Sequence, residues 1–266
     1  IKDDNQKRDI IQSNNDEDPV TLADLKVNEL IIKRIKQKYK NIAWAILSEE
    51  SVKIKNGFFD KNTEWLWILD PLDGTKDFIQ GTENYAMHLA LNYKQKPILG
   101  VVLIPEKDEL WISYGNKLYF EKREGLGKIN NFSEKSKLKD MSLVTSKNHK
   151  NEILKELINK INFKKVTVMG SIGCKVASII RGESDIYISL SLPRQSSPKD
   201  WDFAAPEAIL RAAGGAITTI DNKELIYNTK SYQHPGIIIA SNNKQNHRSF
   251  CFQVKEVIKK YNICPL

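Results

Sequence analysis

A chain of 266 residues, 41% hydrophobic and 28% charged, can bury a sizeable core without covalent staples. Its three cysteines, Cys174, Cys251 and Cys264, are odd in number, widely spaced and without a CxxC pair, which argues against a disulfide framework or a zinc site and for a reducing, cytoplasmic setting. The net charge of +8 gathers in residues 117–165, where thirteen Lys or Arg face six Asp or Glu; with no interleaved aromatics this reads as a solvated, lysine-rich connection rather than a nucleic-acid surface.

No apolar run approaches the roughly 18 residues of a membrane span, and the polar residues 1–13 lack the apolar region of a signal peptide. Residues 22–39 place Val27, Leu30, Ile31, Ile35 and Tyr39 at three- and four-residue spacing, which predicts an amphipathic helix capped by Thr21. Two short β-rich runs, 42–47 and 65–69, each end in acids: Glu49 and Glu50 after the first, Asp70 and Asp73 after the second. Strands at 85–93, 98–104 and 109–114 suggest an antiparallel meander, the first alternating Tyr85, Met87, Leu89 and Leu91. Beyond the basic stretch the pattern alternates: strand 143–145, helix 151–161, strand 166–169, helix 172–181, strand 186–190. A helix near 202–213 ends at Gly214-Gly215, before strands near 216–220 and 237–240. We therefore expect an α/β (α+β) fold of two halves meeting near residues 125–140. An N-terminal half, 1–130, would carry the antiparallel sheet and most metal ligands; a C-terminal α/β half, 131–266, would supply Asp202 and substrate contacts.

The strongest chemical signal is Asp70-Pro71-Leu72-Asp73-Gly74-Thr75. Two carboxylates three apart about a rigid proline, with the Leu72 carbonyl between them, make an all-oxygen site suited to a hard cation such as magnesium. Gly74 and Thr75 then open a helix whose free N–H groups suit a phosphate. An ordinary surface turn is the alternative for so short a motif; the apolar strand before it and the acids elsewhere favour a site. Among those acids, Asp202 reads equally as a helix N-terminal charge, and Asp24 as a member of the Thr21 capping arrangement. There is no P-loop and no Cys–His pair at readable spacing, and His88, His149, His234 and His247 fall outside the motifs; His88, mid-strand, reads as a packed residue.

Taken together, Asp18 to Asp24, Ser48-Glu49-Glu50-Ser51, Trp67 to Thr75, and Trp201 to Ala205 with Ala213-Gly214-Gly215 resemble the inositol monophosphatase superfamily. That superfamily includes inositol monophosphatases, fructose-1,6-bisphosphatases and 3'(2'),5'-bisphosphate nucleotidases. The resemblance implies a layered α/β/α/β/α sandwich of the sugar-phosphatase type and magnesium-dependent hydrolysis of a phosphate monoester, with two or three ions per site. By position, Glu49, Asp70 and the Leu72 carbonyl would hold the first ion, and Asp70, Asp73 and Asp202 the second; a third, weaker ion would sit near Glu49. Asp24 and Thr75 match the pair that orients and deprotonates the attacking water.

Within the superfamily, Lys76-Asp77-Phe78 and the segment Gly170 to Lys175 look more like the nucleotidase branch. Asp73, Gly74, Thr75 and Asp202 would face the substrate, the amides of Gly170 and Ser171 would receive nucleotide oxygens, and Lys175, Arg194 or Lys199 would lie near a second phosphate. The glycines serve equally well as a tight strand-to-helix turn. Gln195 stands where inositol monophosphatases place a carboxylate, seven residues before the metal-binding aspartate, and Pro206 departs from the usual glycine. The expected substrate is 3'-phosphoadenosine 5'-phosphate, hydrolysed to AMP in a salvage step of sulfur metabolism with lithium sensitivity. The alternatives are an inositol, histidinol or sugar phosphatase, or a non-catalytic basic module binding anions or RNA. A monomer or homodimer without membrane partners is expected.

Overall fold

The computed structural model describes residues 10–13, 19–42, 44–55, 63–127, 129, 134–147, 152–192 and 197–265. The chain enters through β1 (Ile10–Ser13) and β2 (Pro19–Thr21), an antiparallel pair, and turns into α1 (Leu22–Lys38). As the spacing predicts, Thr21 caps this helix: its hydroxyl accepts the Ala23 N–H at 3.2 Å while Asp24 accepts the Thr21 N–H at 2.7 Å. The apolar stripe of α1, Ile31 and Ile35, lies on Trp67, Leu89, Leu91 and Leu99.

Those residues belong to a seven-stranded sheet in chain order: β3 (Ala45–Ser48), β4 (Trp65–Asp73), β5 (Ala86–Tyr93), β6 (Lys96–Ile104), β7 (Glu109–Tyr114), β8 (Lys117–Lys122) and β9 (Gly125–Leu126). Only β3 and β4 are parallel, with α2 (Glu49–Lys55) in their connection, and α3 (Thr75–Ile79) follows β4. The expected meander is thus present, extended by β8 and β9. Strand β8 escapes sequence reading because Phe120 is its one fully buried side chain, stacked on Trp111 at 3.8 Å.

A second sheet has the order β11-β10-β12-β14-β13, formed by β10 (Ser142–Ser146), β11 (Lys165–Met169), β12 (Ile186–Ser191), β13 (Ala216–Thr219) and β14 (Gly236–Ser241). Pairing is parallel around β10 and antiparallel around β14, and α4 (Glu152–Ile161) and α5 (Ile172–Ile180) follow β10 and β11. Two further helices are α6 (Asp200–Ala212) and α7 (Lys244–Tyr261). The pattern assigns nothing beyond residue 240, although His247, Phe250, Cys251, Val254 and Ile258 form the helical stripe that α7 buries.

The layers follow from which faces are apolar. Helix α1 covers the outer side of the seven-stranded sheet, α5 and α6 fill the space between the sheets, and α4 and α7 close the far side. One core joins Leu47, Ile68, Val102 and Trp111 of the first sheet to Ile179, Phe203 and Ile209 of the middle helices and to Tyr187 and Ile238 of the second. Gly100 permits the close approach of α6, since a Cβ there would lie 2.7 Å from the Ala205 carbonyl and from Ala208 Cβ. Helix α6 starts two residues earlier than the pattern places it, so Pro206 falls in its second turn rather than its first and has no N–H to give the Asp202 carbonyl.

His247 clips α7 to the second sheet. Its Nδ1 is 2.7 Å from Ser241 Oγ and its Nε2 2.8 Å from Thr218 Oγ1. Burial pushes this imidazole down from 6.5 to about 4. The unfolded ring takes up its proton near pH 6.5 and the folded one only near 4, so the stability of the neutral state is full above 6.5 and declines as pH falls toward 4. Urea unfolding at pH 7 and 4.5 should show wild type losing about 2 kcal/mol more than His247→Gln over that interval. Equal losses would show that His247 carries no such linkage.

Candidate active site

Strand β4 is buried from Leu66 through Leu72 and delivers its acids beside the end of β3. It does not stop at residue 69, as the apolar run suggests, but continues to Asp73 with a register shift between Asp70 and Asp73. In that irregular stretch the Leu72 N–H returns to Asp70 Oδ1 at 3.0 Å, an Asx-type turn that leaves the Leu72 carbonyl facing Thr75. Gly74 makes the corner into α3 at φ +94°, where a Cβ would meet the Asn84 carbonyl at 2.8 Å. The Thr75 hydroxyl lies 3.0 Å from the Leu72 carbonyl and 3.3 Å from Asp24 Oδ1, so its single proton has two acceptors. Asp24, buried, is both helix cap and partner of Thr75; burial raises its pKa against the lowering effect of the Thr21 hydrogen bonds.

The second half of the chain completes the cluster. Asp73 Oδ2 accepts the Ser171 hydroxyl at 2.7 Å and the Ile172 N–H at 2.5 Å, with the Gly173 N–H at 3.5 Å, so the start of α5 holds a carboxylate from β4. Asp202, third residue of α6, accepts the Lys199 N–H at 2.5 Å. Carboxylate oxygens of Asp70, Asp73 and Asp202 then lie within 4.8 Å of one another. Each ionised pair at such a separation costs about 3 kcal/mol at an effective dielectric near 20. Burial, reinforced by Glu49, Asp73 and Asp202, raises the pKa of Asp70 well above the usual range; burial, then Asp73 and Glu49, does the same to Asp202. A group of like charges built entirely of oxygen donors is the chemistry a hard divalent cation satisfies.

Glu49 stands next to this trio and its charge helps raise the pKa of Asp70, while it pairs with Lys53 at 3.0 Å one helical turn along α2. Its neighbour Glu50 is buried, 3.3 Å from the same lysine, and is pushed up to about 7 chiefly by burial. Lys53 has no place in the sequence motif; reading a helix over residues 49–55 would have exposed its four-residue spacing from Glu49.

Two of the residues offered to a nucleotide, Ser171 and Lys175, are engaged within the protein. A Cβ on Gly170 would fall 2.0 Å from Asp77 Oδ2, so this glycine serves the tight packing of its turn on α3. Ser171 holds Asp73. Lys175 is 1% exposed and donates to the Gly170 carbonyl at 2.5 Å with its ammonium over the Tyr187 ring; burial lowers its pKa. Lys199 lies over Trp201, 5.2 Å from the ring centre. Asp18, Arg194 and Gln195 lie outside the described residues.

Residues 2–259 match the inositol monophosphatase family. The chain belongs to that family. A curated relative from Buchnera aphidicola, named 3'(2'),5'-bisphosphate nucleotidase CysQ, is 33% identical over 81% of this chain and 77% of its own length. The protein of that name from Escherichia coli K12 is 28% identical over 86% and 88%. Among solved structures, the Thermotoga maritima IMPase superposes with TM-score 0.73 at 24% identity, covering 95% of this chain and 89% of that one. The Bartonella henselae suppressor protein suhB gives 0.72 at 22%, covering 94% and 89%. These structural likenesses establish that the layered α/β/α/β/α sandwich is the family's fold. Among the described residues no helix is long and apolar enough to cross a membrane.

Asp73→Asn removes one charge from the trio while keeping an oxygen for Ser171 and Ile172. Its thermal midpoint should be unchanged or higher, and its affinity for a divalent ion at least tenfold weaker by calorimetric titration. Wild-type affinity in this variant would remove Asp73 from the ligand set.

Proposed function

We propose that this protein is a magnesium-dependent phosphatase that hydrolyses the 3'-phosphate of 3'-phosphoadenosine 5'-phosphate, giving AMP and inorganic phosphate. The observation that carries the reaction type is the Asp70, Asp73 and Asp202 cluster lying beside the Thr75–Asp24 pair. Those three acids, with Glu49 and the Leu72 carbonyl, would hold the ions. Bound magnesium supplies Lewis acidity toward phosphate oxygens and lowers the pKa of water.

The chain's own groups handle the proton. As a water oxygen bonds to phosphorus, its proton passes to the Thr75–Asp24 pair; the ester P–O bond breaks and the departing oxygen takes up a proton to become the 3'-hydroxyl. Burial raises the pKa of Asp24, making it a stronger base than an exposed aspartate. Thr75→Val, which cannot relay the proton, should cut kcat by about 10²- to 10⁴-fold with little change in KM. A kcat within threefold of wild type would exclude the relay.

The substrate choice is supported by relatives named 3'(2'),5'-bisphosphate nucleotidase whose full length this chain largely spans. It implies a small phosphorylated partner, a place in sulfur metabolism and inhibition by lithium. Phosphate release, with magnesium and with a chelator, should be measured for 3'-phosphoadenosine 5'-phosphate, inositol 1-phosphate, fructose 1,6-bisphosphate and histidinol phosphate. The nucleotide should exceed the others at least tenfold in kcat/KM, with no release in chelator. Preference for another ester would keep the chemistry and overturn the substrate, and silence on all four would favour a non-catalytic anion-binding protein.

A further inference from the structure

His88 belongs to no motif, yet it occupies the corner where the three acid-bearing elements meet. It stands opposite Asp70 in the β4–β5 register, and its side chain is 1% exposed. Nδ1 is 3.3 Å from the carbonyl of Trp201, the residue before Asp202 on α6. Nε2 is 3.4 Å from Asp73 Oδ2, and the ring presses on the first turn of α5 so closely that a Cβ on Gly173 would fall 2.3 Å from Nε2.

A carbonyl only accepts, so Nδ1 carries the ring proton and donates it to Trp201. Nε2 makes no hydrogen bond and lies beside Asp73 Oδ2. Oδ2 is held in place by the Ser171 and Ile172 donors, and among the described residues every hydrogen bond to Asp73 falls on Oδ2, which leaves Oδ1 for an ion. A histidine that donates its far N–H to a backbone carbonyl has its ring orientation fixed by that bond.

We propose that His88 is a positioning residue of the metal centre. Anchored to α6 through Trp201 and wedged against Asp73, it sets the separation of the Asp73 and Asp202 carboxylates across the junction of the two halves. This rests on reading the acid cluster as a divalent-cation site, as the proposed function does.

The test is Mn2+ binding by calorimetry, without substrate, in wild type, His88→Leu and His88→Asn, each with its thermal midpoint. His88→Leu fills the corner but gives Trp201 no donor, and its affinity should fall 10- to 100-fold. His88→Asn can place an amide N–H where Nδ1 stood and should remain within about threefold of wild type. Wild-type affinity in the leucine variant overturns the proposal, and so does an asparagine variant as weak as leucine, because the donor to the Trp201 carbonyl would then not be what positions the site. If the leucine protein does not fold, His88→Gln, whose amide extends past the Nδ1 position, replaces it with the same two readings. A wild type that binds no divalent ion overturns this proposal and the proposed function together. The leucine–asparagine split, found in a protein that cleaves none of the four esters, overturns only the function.

Discussion

Carboxylates do not gather in a protein interior unless something holds them there, and the Asp70, Asp73 and Asp202 trio is the feature on which the rest of this molecule turns. Their oxygens lie within 4.8 Å of one another, with Glu49 adjacent. The repulsion among them opposes folding, so the scaffold that opposes it must be rigid and independently stable. That requirement explains why β4 is buried along most of its length, why Asp73 is fastened to α5 by two close donors, and why Asp202 sits three residues into a helix whose opposite face is core.

The same constraint gives the layered architecture a chemical purpose. Asp70 and Asp73 come from the seven-stranded sheet, while Asp202 and the donors to Asp73 come from helices packed between the sheets. The site therefore exists only when these helices are packed on the seven-stranded sheet, and the shared core that runs from Trp111 through Phe203 to Tyr187 supplies the adhesion. Glycines mark the points where backbones must nearly touch for this to work. Gly74 turns the chain under Asn84, Gly100 lets α6 settle on β6, and Gly173 makes room for His88. Each would force a displacement at the acids if it carried a side chain.

Much of the site was legible because its residue types sit at short, chemically meaningful spacings. Asp70 and Asp73 flank a proline; Thr21 and Asp24 have capping spacing; and four separated segments fall in the order of a known superfamily. The meander was readable from alternation in β5, and α1 from its stripe. What escaped was decided by contacts between distant segments. Lys175, expected near a second phosphate, is instead buried beside Tyr187, its ammonium donating to the Gly170 carbonyl. The Ser171 amide, offered to a nucleotide oxygen, donates instead to the Asn84 carbonyl, and the Ser171 hydroxyl is taken by Asp73, about a hundred residues away in the chain. His88 is indistinguishable in sequence from any histidine in a β-strand.

The sequence by itself determined the reaction chemistry to be considered, the family, and the two-period-then-alternating pattern from which a layered α/β sandwich follows. These depend on local spacing and on side-chain type, which the chain carries whether or not it is folded. Tertiary structure alone decided which donors reach Asp73, that α6 begins two residues early and puts Pro206 in its second turn, and that His88 stands between Asp73 and the Trp201 carbonyl. Those outcomes depend on the packing of α5 and α6 between the sheets, and the position of one buried group then fixes its neighbours because a dense interior has no slack to absorb an alternative.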